Sequence, residues 1–131
     1  MMRRLAIAAL VLLPLGWISL LAGRYELLEG NLPGGLPAGN LLAAITFAAW
    51  PAAAVLIARP GSLARRLAIG ALALALAWLP VSLLLAGNLA LNFEGLRGTL
   101  WMGLTVLTLS AGAAALAWSA IHRLIGHQRG A

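Results

Sequence analysis

The residues that could carry out chemistry in this chain lie between four long apolar runs, not within them. The runs cover residues 5–23, 40–58, 67–91 and 99–121, and they contain no Asp, Glu, Lys, Arg or His. Ionisable groups inside a membrane are costly and usually functional. A proton-coupled carrier, a voltage sensor or a b-type haem site would need such a group within a span. The sequence therefore predicts none of these functions.

Hydroxyl groups are the polar groups that remain in the interiors of the runs, because Asn40 begins the second run and Asn88 is expected to mark the interface toward the end of the third. In the last run, Thr105, Thr108 and Ser110 are candidates for a polar path or for a contact with a neighbouring helix. Thr105 and Thr108 are three residues apart and would share one helix face. The simpler alternative is that each hydroxyl donates to a carbonyl of the preceding turn, as Ser and Thr usually do in helices.

Prolines interrupt three of the four runs, at Pro14, Pro51 and Pro80. A proline in a helix removes one hydrogen bond and bends the axis, and broken helices form the mid-membrane sites of many transporters. These prolines are therefore possible hinges, or plain kinks. Pro14 and Pro80 do not align strictly across the internal repeat described below, which weakens the case for a shared site.

All three acids lie in the connections that follow the first and third runs. Glu29 and Glu94 each precede a glycine there, and they are candidates for an outer-loop contact. Arg24 with Glu26, and Glu94 with Arg97, could form local ion pairs.

The sequence predicts no catalytic, cofactor-binding or metal-binding residues. The two histidines, His122 and His127, are five residues apart without a nearby carboxylate, which is a poor metal site. We expect the tail 122–131 to be a basic segment that contacts lipid head groups. The chain also lacks cysteine, which excludes disulfides and thiolate chemistry.

The composition predicts an integral membrane protein. Of the 131 residues, 63% are hydrophobic and 9% charged, against about 25% charged in soluble domains. A helix needs about 20 apolar residues to cross a bilayer, and each run has nearly that length or more. The runs do not alternate in polarity as barrel strands do, and they are rich in the helix formers Ala and Leu. We expect an all-α fold with four transmembrane helices.

An internal repeat predicts how the helices are grouped. The segment RRLAIAAL at residues 3–10 returns as RRLAIGAL at residues 65–72. We therefore expect a single membrane domain, residues 1–131, made of two tandem hairpins at about 3–58 and 65–121. The first run has the shape of a signal peptide, but its mid-chain repeat must be structural, so we expect it to be retained.

Small and aromatic residues indicate where helices could pack. Alanines recur at intervals of four residues, which allows close helix contact, in the sets Ala44, Ala48 and Ala52, Ala71 and Ala75, and Ala111 and Ala115. Trp101 and Trp118 have the positions of an aromatic belt at the interface. The other tryptophans, Trp17, Trp50 and Trp78, lie deeper, where they would pack in the bundle or line a pigment, quinone or lipid pocket.

The arginines predict the orientation. The net charge of +6 comes from nine arginines at the ends of the runs, which is a topology signal and not a nucleic-acid surface. Seven arginines fall on one side of the predicted membrane and only Arg24 and Arg97 on the other. The positive-inside rule then places both termini in the cytoplasm of a bacterial inner membrane.

These observations favour a non-catalytic accessory, anchoring or assembly subunit of a larger membrane complex. Its expected partners are the lipid bilayer and other membrane subunits or further copies of itself. The alternative is a small oligomeric channel or carrier for a small or hydrophobic solute, without an intramembrane carboxylate. An enzyme is third, because its only candidate groups are divided between opposite sides of the membrane: Glu26, Glu29, Glu94 and His122.

Overall fold

Four α-helices make up most of the chain in the computed structural model, which describes residues 1–24, 26 and 29–128. The helices of this described part are α1 (Met2–Gly23), α2 (Ala38–Ile57), α3 (Leu63–Ala86) and α4 (Leu96–Gln128). Each is long and apolar enough to cross a membrane. The predicted all-α architecture with four membrane-length helices is therefore confirmed.

The ends of α3 follow from the residues that flank it. The Ser62 hydroxyl oxygen accepts a hydrogen bond from the Arg65 amide at 3.2 Å, an N-cap that satisfies one amide of the first turn. At the other end Gly87 adopts the left-handed conformation with φ of 72°, which glycine adopts without steric cost. The helix therefore stops at Ala86, close to Asn88, the residue expected to mark the interface within the run 67–91.

The last helix is longer than the predicted span. α4 continues past Ile121 to Gln128, so the basic tail 122–131 is helical as far as it is described. Residues 129–131, with Arg129, lie outside the described residues. A helix of 33 residues is about 50 Å long, whereas the hydrocarbon layer is about 30 Å thick. The helix is therefore longer than a perpendicular crossing of that layer requires.

The four helices are not equivalent in their packing. α2, α3 and α4 contact one another, whereas α1 contacts α2 and, within the described residues, packs closely on neither α3 nor α4. Three helices thus form a core, and α1 is added to one side of it. α1 and α3, which the sequence repeat relates, run in the same direction but have different numbers of neighbours.

The inward faces of α3 and α4, two helices that contact each other, carry residues at alternating intervals of four and three. We define the α3–α4 seam as six positions on each helix: Ala64, Ala68, Ala71, Ala75, Trp78 and Ser82 on α3, and Trp101, Thr105, Thr108, Gly112, Ala115 and Ser119 on α4. This spacing keeps one face of each helix turned toward the core, where Gly112 also meets Pro51 of α2. Most of these side chains are small, so the two backbones can approach closely.

Candidate functional site

Two tryptophans of the α3–α4 seam form hydrogen bonds with hydroxyls on the facing helix. Trp78 donates its indole N–H to Thr105 at 3.0 Å, and Trp101 donates to Ser82 at 3.1 Å. On each helix the two positions are one turn apart, so the pair of bonds fits one antiparallel register. Because an unpaired N–H is costly in an apolar surrounding, these bonds favour that register over its neighbours.

The predicted hydroxyl candidates separate into two surroundings. Thr105 and Thr108 lie together on the inner face of α4, where each also donates to the carbonyl four residues earlier, at Trp101 and Leu104. Thr108 is fully buried, whereas Ser110 is exposed on the outer face. The three residues therefore do not line one continuous path.

An aromatic cluster surrounds the Trp78–Thr105 bond. Phe47 of α2 meets Trp78 edge to face, with ring centroids 4.8 Å apart. Trp101 lies 6.3 Å from Trp78 and stacks on Phe93 at 4.9 Å. Edge-to-face and offset pairs at these distances are favourable beyond their buried area. The cluster joins α2, α3, α4 and the connection before α4 near one end of the bundle.

The tryptophans only partly follow the predicted division between interface and interior. Trp101 was expected in an aromatic belt, but its N–H points into the bundle and binds Ser82. Trp78 is buried, as its deeper position suggested. Trp118 remains half exposed on the outer surface of α4. The position of a tryptophan along a helix gives its depth but not the face on which it lies.

The three prolines have different surroundings. Pro51 is fully buried in α2 and faces Gly112 of α4 so closely that a Cβ on Gly112 would lie 3.1 Å from the proline ring. Pro14 is buried in α1, whereas Pro80 is exposed on α3. Pro51 thus serves as a packing element between two helices. Motion at the other two prolines would not require this contact to open.

The attachment of α1 to the core depends on few polar contacts. Trp50 of α2 donates to the Val11 carbonyl at 3.3 Å, and Arg3 donates to the Leu56 carbonyl near the end of α2. Many large side chains of α1 face outward, and Leu12, Leu15 and Ile18 are more than half exposed. This helix therefore presents apolar surface on the sides that do not touch α2.

Two apolar grooves flank α1. One, of about 470 Å³, separates it from α3 and is floored by Ala44, Ala48 and Ala52. The other, of about 370 Å³, separates it from α4 and includes Trp17 and Thr46 in its lining. Grooves with floors of small residues suit a further transmembrane helix, because backbones can approach there.

No known protein family, curated protein or solved structure matches the chain. The function must therefore be inferred from the chemistry of these surfaces.

One end of the bundle carries most of the arginines, and we call it the arginine end: Arg3, Arg4, Arg59, Arg65, Arg66 and Arg123. Arg3 and Arg123 donate to carbonyls of the last turn of α2, at Leu56 and Ile57. Arginines are favourable there because the last carbonyls of a helix have no partner within it and carry partial negative charge.

The opposite end holds the described acids. Glu29 and Glu94 are both exposed, so both are accessible for the contact predicted from the sequence. Glu26 pairs with Arg24 at 3.0 Å, as expected, but the pair is exposed and contributes little to stability. The predicted pair between Glu94 and Arg97 is absent from the described residues, where the Arg24 pair is the only ion pair.

The two connections at this acidic end are tied to each other. Asn40, in the first turn of α2, donates its side-chain amide to the Leu89 carbonyl at 2.9 Å. Before α2 the chain folds back on itself, with the Leu32 amide donating to the Leu36 carbonyl at 2.8 Å around a turn at Pro33 and Gly34. Proline followed by a glycine with φ of +97° is typical of a type II turn. This structure holds the loop that carries Glu29 close to the one that carries Glu94.

A metal site has no support in the described part of the chain, where no three His, Asp or Glu residues come together. His122 lies beside Trp118, with ring centroids 6.1 Å apart. Both histidines lie on the exposed surface of α4.

The α3–α4 seam as a whole was not predicted from the sequence. The alanine pairs Ala71 with Ala75 and Ala111 with Ala115 were predicted to pack, but not on the same helix faces as the tryptophans and hydroxyls. The signal was the alternation of four- and three-residue steps through small, hydroxyl and Trp residues on both helices. Sorting by residue size, and not by hydrophobicity alone, would have revealed it.

Proposed function

We propose that this protein is a non-catalytic accessory or assembly subunit that binds a transmembrane helix of a partner protein. The observation that carries the proposal is the position of α1, which packs on α2 and leaves an apolar groove on each side. In a bundle that functions alone, these faces would be expected to pack on α3 and α4.

The groove between α1 and α3 is the better candidate for the partner. Its floor repeats alanine every four residues, at Ala44, Ala48 and Ala52. Without a hydrophobic drive between helices in lipid, association depends on such close packing. Leu76, which is 64% exposed, forms part of the wall and is the side chain best placed to control entry.

We propose a bacterial inner membrane with both termini in the cytoplasm, because the arginine end would then face the cytoplasm. We also propose that the chain arose by duplication of a hairpin, on the basis of the repeated segments at residues 3–10 and 65–72. The looser packing of α1 would then reflect divergence of the first copy toward binding a partner.

The carrier alternative has less support. Its candidate path needs free hydroxyls, but Thr105 and Ser82 accept indole N–H groups, and Ser110 is exposed on the outer face. Pro51, one of its candidate hinges, is packed against Gly112.

Occlusion of the groove tests the proposal. The protein should be purified from its native membrane in a mild detergent, and proteins present in equal amount should be identified by mass spectrometry. Leu76→Trp would place a larger ring in the groove and should remove the partner. Leu84→Trp is the matched control, because Leu84 lies on the same helix, is 84% exposed and is outside the groove.

Each outcome has a clear meaning. A stoichiometric membrane partner that is lost only from the Leu76→Trp variant would support the proposal. A homo-oligomer without other proteins would contradict it and favour the carrier. Equal loss of the partner from both variants would show that the partner does not use this groove.

A further inference from the structure

We propose that the outer groove between α3 and α4 binds one anionic phospholipid, with its phosphate at Arg66 and an acyl chain along the groove. This groove has a volume of about 540 Å³ and is lined entirely by residues of α3 and α4. It lies apart from α1 and from the two grooves that flank α1.

The body of the groove has the shape and chemistry of an acyl-chain site. Gly70 and Ala114 leave a channel between the two helices, with Leu67 and Leu74 also in the lining. A Cβ built on Gly70 would meet no other atom within 4 Å, so the space beside it is open. Apart from Arg66, the lining is apolar along its length.

The mouth of the groove lies at the arginine end and carries groups that suit a head group. Arg66 lines the groove together with Trp118, and His122 lies 6.1 Å from the Trp118 ring. Trp118 is 50% exposed, and tryptophan prefers the level of the lipid head groups. Arginine binds phosphate oxygens through two parallel N–H donors.

Arg66 differs from the other arginines of this end because its side chain lines the α3–α4 groove and can bind a ligand there. Arg3 and Arg123 already donate to carbonyls of α2, and Arg59 lies against Gly126. The guanidinium of Arg66 has neither a hydrogen bond nor an ion pair with the residues that the structure describes. The three acidic side chains of the sequence, Glu26, Glu29 and Glu94, lie at the opposite end of the bundle, so none of them can pair with Arg66.

Charge identifies the occupant as a lipid and not as another helix. A partner helix would need to bring an acid to the depth of Arg66, whereas an anionic phospholipid brings its phosphate to that level by its own structure. Anionic head groups in the membrane surface attract arginines, and the acyl chain occupies the apolar part of the same groove. One phospholipid molecule thus contacts Arg66 through its phosphate and the apolar lining of the groove through its acyl chain.

Native mass spectrometry of the purified protein tests this proposal. The protein is held in mixed micelles with equal amounts of dioleoyl phosphatidylglycerol and dioleoyl phosphatidylcholine, which share their acyl chains and differ in charge. We expect one phosphatidylglycerol to be retained in preference to phosphatidylcholine. Equal retention of the two lipids would overturn the proposal.

Variants at the mouth separate a specific site from general charge. Arg66→Gln should weaken phosphatidylglycerol retention by about tenfold, which corresponds to about 1.4 kcal/mol. Arg4→Gln removes the same charge from an exposed position at the same end that does not line the groove, and it should change retention by less than about twofold. Equal effects of the two variants, or no effect of Arg66→Gln, would overturn the proposal.

Variants in the body of the groove test the acyl-chain part. Gly70→Leu should fill the channel and reduce retention. Gly103→Leu adds the same side chain to open space on α4 outside the groove and should leave retention unchanged. Unchanged retention in Gly70→Leu would exclude an acyl chain there. Displacement of the lipid by millimolar inorganic phosphate would show that the site binds a soluble anion, which would also overturn the proposal.

Discussion

Replacement of Gly112 by alanine tests how tightly α4 is held against α2. A Cβ at this position would lie 3.1 Å from Cδ of Pro51, whereas ordinary contacts of a Cβ are 3.4–4 Å. Pro51 is fully buried, and its ring cannot rotate away as a flexible side chain would. The helices would therefore have to separate by a few tenths of an ångström along a contact that is otherwise closely packed.

The magnitude follows from two opposing effects. Overpacking of a well-packed core costs about 1–3 kcal/mol, whereas alanine in place of glycine within a helix gains about 0.5–1 kcal/mol. Gly103 offers a matched control, because it lies in α4 and its Cβ would meet no atom within 4 Å. Both variants share the gain in helix propensity, so their difference isolates the packing cost, which we expect to be about 1–3 kcal/mol.

Unfolding in mixed micelles by increasing fractions of sodium dodecyl sulfate, followed by circular dichroism, measures the free energy of unfolding of each variant. We expect Gly103→Ala to equal or exceed the parent in stability and Gly112→Ala to fall below it. In a Pro51→Ala background the Gly112→Ala cost should shrink to less than about 0.5 kcal/mol, since the two sites are in direct contact. Equal stability of Gly112→Ala and Gly103→Ala would refute the reasoning.

Three further predictions concern the hydrogen-bonded seam, the orientation and transport. Trp101→Phe should lower the free energy of unfolding by about 1–3 kcal/mol, because the buried Ser82 hydroxyl loses its donor, and the added change Ser82→Ala should recover part of that loss in the same titration. In intact cells, a cysteine at Pro33 should react with an impermeant thiol reagent and one at Pro60 only after lysis; the reverse pattern would overturn the orientation. Vesicles that contain the purified protein should show no solute uptake driven by a pH gradient, and uptake that Glu94→Gln abolishes would place a coupling group in the outer loops.

The existence, type and approximate limits of the helices could be predicted because the bilayer constrains them directly. Charges cannot easily enter the hydrocarbon layer, so the arginines and glutamates mark where spans end. The end of α3 at Ala86, two residues before the expected interface at Asn88, has a local cause in Gly87, whose left-handed conformation terminates the helix. The extension of α4 to Gln128 includes the polar and basic residues of the tail, whose conformation hydropathy does not predict.

The arrangement of the helices could not be predicted in the same way. In lipid, outward and inward faces can be equally apolar, so hydropathy does not tell Ser110, which is exposed, from Thr108, which is buried. Residue size and hydrogen-bonding capacity decide which face turns inward, as the two Trp–hydroxyl pairs illustrate. The partial separation of α1 from the core depends on packing alone, and the repeated sequence by itself suggested equal hairpins.

The alanines of the α3–α4 seam also have a consequence for entropy. An alanine side chain has no rotamers to lose, whereas burial of a leucine costs about 0.5–1 kcal/mol in conformational entropy. Positions such as Ala64, Ala68, Ala71 and Ala75 thus bring two preformed helices together with little loss of side-chain freedom. Trp78 and Trp101 are the large exceptions in this seam, and their hydrogen bonds to Thr105 and Ser82 offset the cost of fixing their rings. The association of α3 with α4 should therefore be favoured mainly by enthalpy, which depends on how closely the two helices approach.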